Sequence, residues 1–306
     1  MKIDVEAFRV HEGKRAALDK RATKAKPFYG SKADYTAALG EHVTRLSKLQ
    51  EHLHRSGRYA LLIVLQGMDT AGKDGAISHV MSGVNPQGCK VVSFKAPTSS
   101  EAAHDFLWRE SRALPERGEI GVFNRSYYEP VLVTRVHPEL LERQNLPKDA
   151  RGKDVWQRRY REINDWERYL TANGIKVIKI FLNLSKEEQR VRFLRRLDLP
   201  DHNWKFSASD ARERQYWDDY QIAFSEMLSH TSTEWAPWYV VPADRKWFAR
   251  ICVSSLLAQT LIELDPQYPH VSSAQRREER HAKAELLAEA PKGADADPFD
   301  ATHGKA

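Results

Sequence analysis

The chain of 306 residues carries two cysteines, Cys89 and Cys252. That is too few, and too widely spaced, for a disulfide framework or a thiolate metal cluster. No run of about 18 apolar residues occurs, so the sequence supports no membrane-spanning helix. Met1 to Glu6 lacks the apolar core of a secretory signal. A reducing, cytoplasmic setting is the expectation, with no membrane partner. No internal repeat is visible. Hydrophobic residues still make up 41% of the chain, enough for a sizeable core. Mean hydropathy of −0.63 leaves a heavily charged surface. The charge leans one way, to a formal +6. A basic balance suits either a polyanionic partner or a mildly positive surface, and charge alone does not choose between them.

Apolar runs at Leu61–Leu65, Val91–Phe94, Ile120–Phe123, Ile175–Leu182 and Trp238–Val241 read as strands. They alternate with helical spacing over 34–55, 73–82, 100–112, 155–172, 186–198, 209–229 and 245–262. This pattern predicts an α/β fold with a parallel five-stranded sheet and helices on both faces. Residues 1–30, with Lys14, Arg15, Lys20, Arg21, Lys24 and Lys26, read as a basic arm. Residues 31–270 form the main domain, and 271–306 a charged tail ending in disorder.

Three groups of residues carry chemistry. Leu61–Leu65 runs into Gly67-Met68-Asp69-Thr70-Ala71-Gly72-Lys73-Asp74, a G-x-x-x-x-G-K phosphate loop with Asp74 where Ser or Thr usually follows the lysine. Gly67, Ala71 and Gly72 bring backbone N–H groups to phosphate oxygens, and Lys73 adds a positive charge. Asp69 would repel bare phosphate, which makes sense if a divalent cation lies between them. Asp74 would support the same ion. The plainer readings are a helix N-cap for Asp69 and a first-turn acid for Asp74.

The second group is Asn124-Arg125-Ser126-Tyr127-Tyr128-Glu129, at the end of a strand. Arg125 suits phosphate gripping and Glu129 suits acceptor or metal contact; alternatively the two pair with each other. The third is the helix of Arg192, Arg195 and Arg196. These share one face, opposite Val191, Phe193, Leu194 and Leu197. With Pro200, Trp204 and Lys205 they suggest a lid over phosphates at about 195–212. A merely solvated face, with Glu188 paired to Arg192, is the alternative. Arg158, Arg159 and Arg161 read as surface charges.

Together these segments resemble the polyphosphate kinase 2 family. The likeness extends through Ser82-Gly83-Val84-Asn85-Pro86-Gln87-Gly88, Ser93-Phe94-Lys95-Ala96-Pro97 and His104-Asp105-Phe106-Leu107-Trp108-Arg109, in order over about residues 25–265. The resemblance implies a P-loop kinase fold and reversible phosphoryl transfer between inorganic polyphosphate and AMP or ADP. It also implies Mg²⁺ (or Mn²⁺) and a homodimer or homotetramer. It places the loop aspartate on Asp69, the P-loop lysine on Lys73, the second-motif arginine on Arg125 and lid cations on Arg195, Arg196 and Lys205. Asn124, Arg125 and Glu129 fall on the nucleotide side. Lys95 and Arg109 lie where they would extend a basic groove. Asp74 and Asn124 resemble the branches that accept AMP or both nucleotides, and AMP is the expected acceptor. An ATP-dependent nucleoside or nucleotide kinase is the rival; it should keep Ser or Thr at position 74. A basic nucleic-acid-binding module ranks last, since residues 9–26 hold no recognition motif, and no nucleic-acid partner is expected.

Overall fold

The computed structural model describes residues 3–27, 29–144, 146–152, 154–199, 208–268 and 271–291. Lys205, Pro200 and Trp204, with the 200–207 part of the expected lid, lie outside the described residues.

The central strand β2 (Ala60–Gln66) is buried along its whole length, as expected for a strand covered on both faces. β3 (Cys89–Ser93), β4 (Ile120–Asn124), β5 (Ile175–Asn183) and β6 (Trp238–Pro242) join it in parallel. The sheet has six strands rather than five. β1 (Arg9–Val10) adds an antiparallel edge, Arg9 opposite Tyr239, giving the order β1-β6-β5-β2-β4-β3. A two-residue strand is too short to show periodicity in sequence. Residues 3–27 are therefore packed on the body rather than a free arm. Val10 and Leu18 are buried, and Arg21 donates to the carbonyls of Phe8, Arg9 and Ala16.

Alternation along β2 assigns its two faces. Leu61, Ile63 and Leu65 join the core under α1 (Lys32–Ser56), α2 (Lys73–Val80) and the later helix α7 (Lys246–Leu264). Leu62 and Val64 join the core under α3 (Glu129–Val136), α4 (Val155–Ala172) and α6 (Trp217–Thr231). α5 (Lys186–Asp198) follows β5. A Ser31–Asp34 capping box starts α1 and Gly57 ends it. α7 is long and apolar enough to cross a membrane by length and composition, but it is a mostly buried core helix. The expected helix over 100–112 is two short turns, Ser99–Ala102 and Trp108–Arg112. Considered by itself, the stretch from Tyr268 holds helix α8 (Ser273–Ala288), capped by Ser272 and with no buried residue.

Charges also lie inside the main unit. Arg159, expected on the surface, is buried and donates to Pro130 O (2.8 Å) and Gln144 Oε1 (2.6 Å). Lys179 of β5 and Glu167 of α4 form a fully enclosed ion pair at 2.5 Å. Glu110 is enclosed too. Its Oε1 accepts from Arg109 Nε at 3.0 Å, while Oε2 has no partner. Burial pushes this carboxyl up to about 7 from 4.5. Between those pH values the native state holds a proton that the unfolded chain has released. Glu110's contribution to stability is thus full at low pH and declines as pH rises towards 7. Denaturant titrations should show the stability of Glu110→Gln gaining on the parent by about 3 kcal/mol between pH 4 and pH 8. Parallel pH profiles for the two proteins would refute this.

Candidate functional site

The phosphate loop leaves β2 at its carboxyl end, where ligands bind parallel sheets. Gly67 has φ +151° and Gly72 φ +105°. A Cβ on Gly67 would lie 2.9 Å from Leu182 O, so the turn has room for glycine alone. Thr70 takes a left-handed φ of +65°. Gly72 is the N-cap of α2, with no side-chain cap. That removes the N-cap reading of Asp69. Asp74 lies in the first turn of α2, and its Oδ1 accepts from Asn124 Nδ2 at 2.6 Å.

Lys73 is buried, and its Nζ donates to Gly67 O (2.6 Å) and Met68 O (3.3 Å). Burial lowers its ammonium pKa, against the pull of Asp69. Ala71 N donates to Met68 O at 3.0 Å, inside the turn.

Asp69 instead faces Arg125, whose Nη2 donates to its Oδ1 at 2.8 Å. Arg125 holds a left-handed φ of +63°, a conformation costly for a non-glycine residue and common at functional sites. Glu129, the other partner considered for Arg125, accepts from Gln66 Nε2 at 3.1 Å; Gln66 also reaches Ser126 Oγ. Asp69, Arg125 and Glu129 therefore line one cleft. Glu213, Arg214 and Tyr220 close its far side. Tyr220 Oη donates to Glu213 Oε2 at 3.0 Å, and Arg214 Nη1 reaches Gln189 Oε1 at 3.3 Å.

Arg192 departs most from expectation. It is buried rather than part of a lid face. Nη1 donates to the carbonyls of Thr70 (2.9 Å) and Ala71 (3.0 Å), and Nη2 to those of Ala243 (2.6 Å) and Asp244 (3.1 Å). Glu188 takes Nε at 2.8 Å. Gln189 Nε2 adds a bond to Asp69 O. α5 is thus turned so that Gln189, Arg192 and Phe193 face inward, while Val191, Leu194 and Leu197 are exposed. Carbonyls in need of donors outcompeted the apolar stripe. Arg195 is exposed, and Arg196 lies over the Phe193 ring at 5.7 Å. Lys95 is exposed. Its carbonyl accepts from Arg109 Nη1, and the Arg109 guanidinium lies over Phe94, tied inward rather than facing a groove.

Gln66, Gln189, Arg192, Glu213, Arg214 and Tyr220 are members of the site or its support that sequence reasoning missed or misassigned. Gln66 carried one signal, as the polar residue closing an otherwise apolar strand. Among the described residues, no group of three or more His, Cys, Asp or Glu side chains could hold a metal ion alone.

Comparison with known proteins bears on the family and the fold. The family model of polyphosphate kinase 2 matches residues 29–269. An ADP-polyphosphate phosphotransferase of Rhodopseudomonas palustris is 54% identical over 288 residues, 94% of this chain and 100% of that protein. An AMP/ADP-polyphosphate phosphotransferase of Meiothermus ruber is 45% identical over 250 residues, 82% of this chain and 90% of the relative. The crystal structure of polyphosphate kinase 2 from Arthrobacter aurescens TC1 matches with a TM-score of 0.82 and 43% identity. It covers 92% of this chain and 96% of that one.

Proposed function

The chain belongs to the polyphosphate kinase 2 family, and we propose that it moves phosphoryl groups between inorganic polyphosphate and ADP, with AMP as a second acceptor. Polyphosphate–nucleotide phosphotransfer is the family's activity. The acceptor is the finer matter. The sequence favoured AMP, and that preference finds no support: the relative at 54% identity bears an ADP name and the one at 45% names both nucleotides.

One observation carries the reading. A carboxylate, Asp69, lies inside a phosphate cradle and is neutralised by Arg125 at 2.8 Å. When phosphate takes the arginine, the carboxylate needs another cation. Asp69, with Asp74 in the first turn of α2, fits Mg²⁺ or Mn²⁺ completed by phosphate and water oxygens, since two carboxylates are too few to enclose an ion. The ion would supply charge neutralisation at the transferred group. The chain's own residues do the rest. N–H groups of the loop and α2 hold the donor end, and Lys73 exchanges its carbonyl partners for phosphate oxygens. Arg125 offsets charge as it develops, and Gln66 holds Glu129 beside the acceptor. Positioning and electrostatics suffice for in-line transfer.

Purified protein with Mg²⁺, ADP and polyphosphate is expected to form ATP with no ATP added, and AMP should yield ADP more slowly. Absence of product with polyphosphate, together with turnover from ATP and a nucleoside or nucleotide acceptor, would transfer the assignment to the ATP-dependent rival. Faster turnover of AMP than of ADP would reverse the acceptor order.

A further inference from the structure

The far side of the cleft is a corner between two helices. The short helix Ala208–Glu213 ends where a tight turn, Arg214–Tyr216, leads the chain into α6. The helix start does not secure this corner, since Tyr216, the N-cap of α6, gives no side-chain cap. Contacts to the flanking helices secure it instead. On one side Arg214 Nη1 reaches Lys186 O and Gln189 Oε1 of α5, each at 3.3 Å. On the other, Glu213 Oε2 accepts from His137 Nε2 at the shorter distance of 3.0 Å.

His137 is the C-cap of α3, the helix that presents Glu129, Leu132 and Val133 to the cleft. Its backbone N–H donates to Val133 O at 2.8 Å. The side chain is largely enclosed, at 15% exposure. A carboxylate only accepts, so the proton facing Glu213 is on Nε2. Nδ1 lies 3.5 Å from Glu139 Oε1, which steadies the ring's orientation. The ring meets Tyr216 edge-on, with centroids 4.7 Å apart, and Tyr220 at 6.5 Å. Tyr220 Oη donates to the same Glu213 Oε2 at 3.0 Å. Burial, and then the Glu213 carboxylate, raise the pKa of the Tyr220 phenol, so its hydroxyl stays a donor. One histidine thus touches the corner at Glu213, Tyr216 and Tyr220, yet no step of the transfer described above uses it.

We propose that His137 is a positioning residue for the acceptor nucleotide. Acting through Glu213, it holds Arg214 and Tyr220 as the wall of the cleft, and so sets acceptor affinity without touching the reacting atoms. The proposal rests on the acceptor assignment above. Without the histidine, the uncapped corner before α6 is left to the 3.3 Å contacts of Arg214. The wall is then less ordered, and binding must order it. The phosphate loop and Lys73 belong to other elements, so donor handling is spared.

The test compares His137→Ala and His137→Gln with the parent, using Mg²⁺, ADP and long-chain polyphosphate. Loss of one hydrogen bond to a carboxylate should raise the KM for ADP about tenfold in His137→Ala. Both kcat and the KM for polyphosphate should stay within about twofold of the parent. ADP titrated calorimetrically without donor should bind about tenfold more weakly. Glutamine places an amide N–H near the position of Nε2, so His137→Gln should recover most of the ADP affinity. Because His137 acts through Glu213, His137→Ala/Glu213→Ala should bind ADP no worse than Glu213→Ala alone. Should alanine destabilise the fold, His137→Leu keeps packing on Tyr216 without a donor and takes its place. Unchanged ADP affinity in a folded variant, an equal rise in both KM values, or fully additive losses in the double variant would overturn the proposal while leaving the acceptor assignment intact. A parent that turns over no ADP would overturn both.

Discussion

Asp69→Asn is expected to lower turnover about 10²–10³-fold with the fold intact. The asparagine keeps the shape and one acceptor oxygen but loses the charge. The side chains of Asp69 and Arg125 are both about a third or more exposed, at 34% and 42%. An ion pair so open to water contributes only about 0–1 kcal/mol to stability. Thermal unfolding should therefore shift little while catalysis collapses, which separates the site role from a scaffold role. The Mg²⁺ concentration for half-maximal rate should rise as well. A folded variant with near-parental turnover and an unchanged Mg²⁺ response would remove Asp69 from the chemistry.

The second large effect lies away from the cleft. Lys179 Nζ is enclosed and donates to Glu167 Oε2 (2.5 Å), Tyr128 Oη (2.9 Å) and Thr231 O (2.6 Å). Glu167 Oε1 accepts from both Tyr127 and Tyr128 at 2.8 Å. Burial raises the carboxyl's pKa and lowers the ammonium's, and each partner opposes the shift in the other. Lys179→Met strands the carboxylate, which costs about 3–5 kcal/mol. The deficit should shrink at acid pH, where Glu167 in the variant is protonated in both native and unfolded states. A double variant that also replaces Glu167 with Leu should recover part of the loss. Chemical denaturation checks both; a single variant within about 1 kcal/mol of the parent would show that the pair is not under tension. Tyr127 and Tyr128 follow Arg125 closely in sequence, so the same network anchors the segment that presents Arg125 and Glu129.

The sequence disclosed the parts whose physics is local. Strand-loop-helix punctuation placed Gly67 to Asp74, and apolar runs placed five of the strands to within a residue or two. α4 and α5 begin and end where periodicity put them. The rotation of α5 was illegible, because a buried Arg192 is dictated by carbonyls 121 and 51 residues away along the chain. The Glu167–Lys179 pair was illegible for the same reason, although a lysine within Ile175–Leu182 announced that some partner must exist. β1 was too short to signal itself. Arg214 and Tyr220 enter the cleft because a predicted continuous helix over 209–229 breaks at Arg214–Tyr216.

Arg192 has a last implication. A guanidinium that satisfies outward-turned carbonyls on two separate segments fixes their geometry before any ligand comes. Two of the N–H groups on the same peptides are held as well, Ala71 N by Met68 O and Asp244 N by Thr23 O, each at 3.0 Å. Little ordering entropy is then lost on capture, and more of the attraction for the incoming chain is kept as affinity.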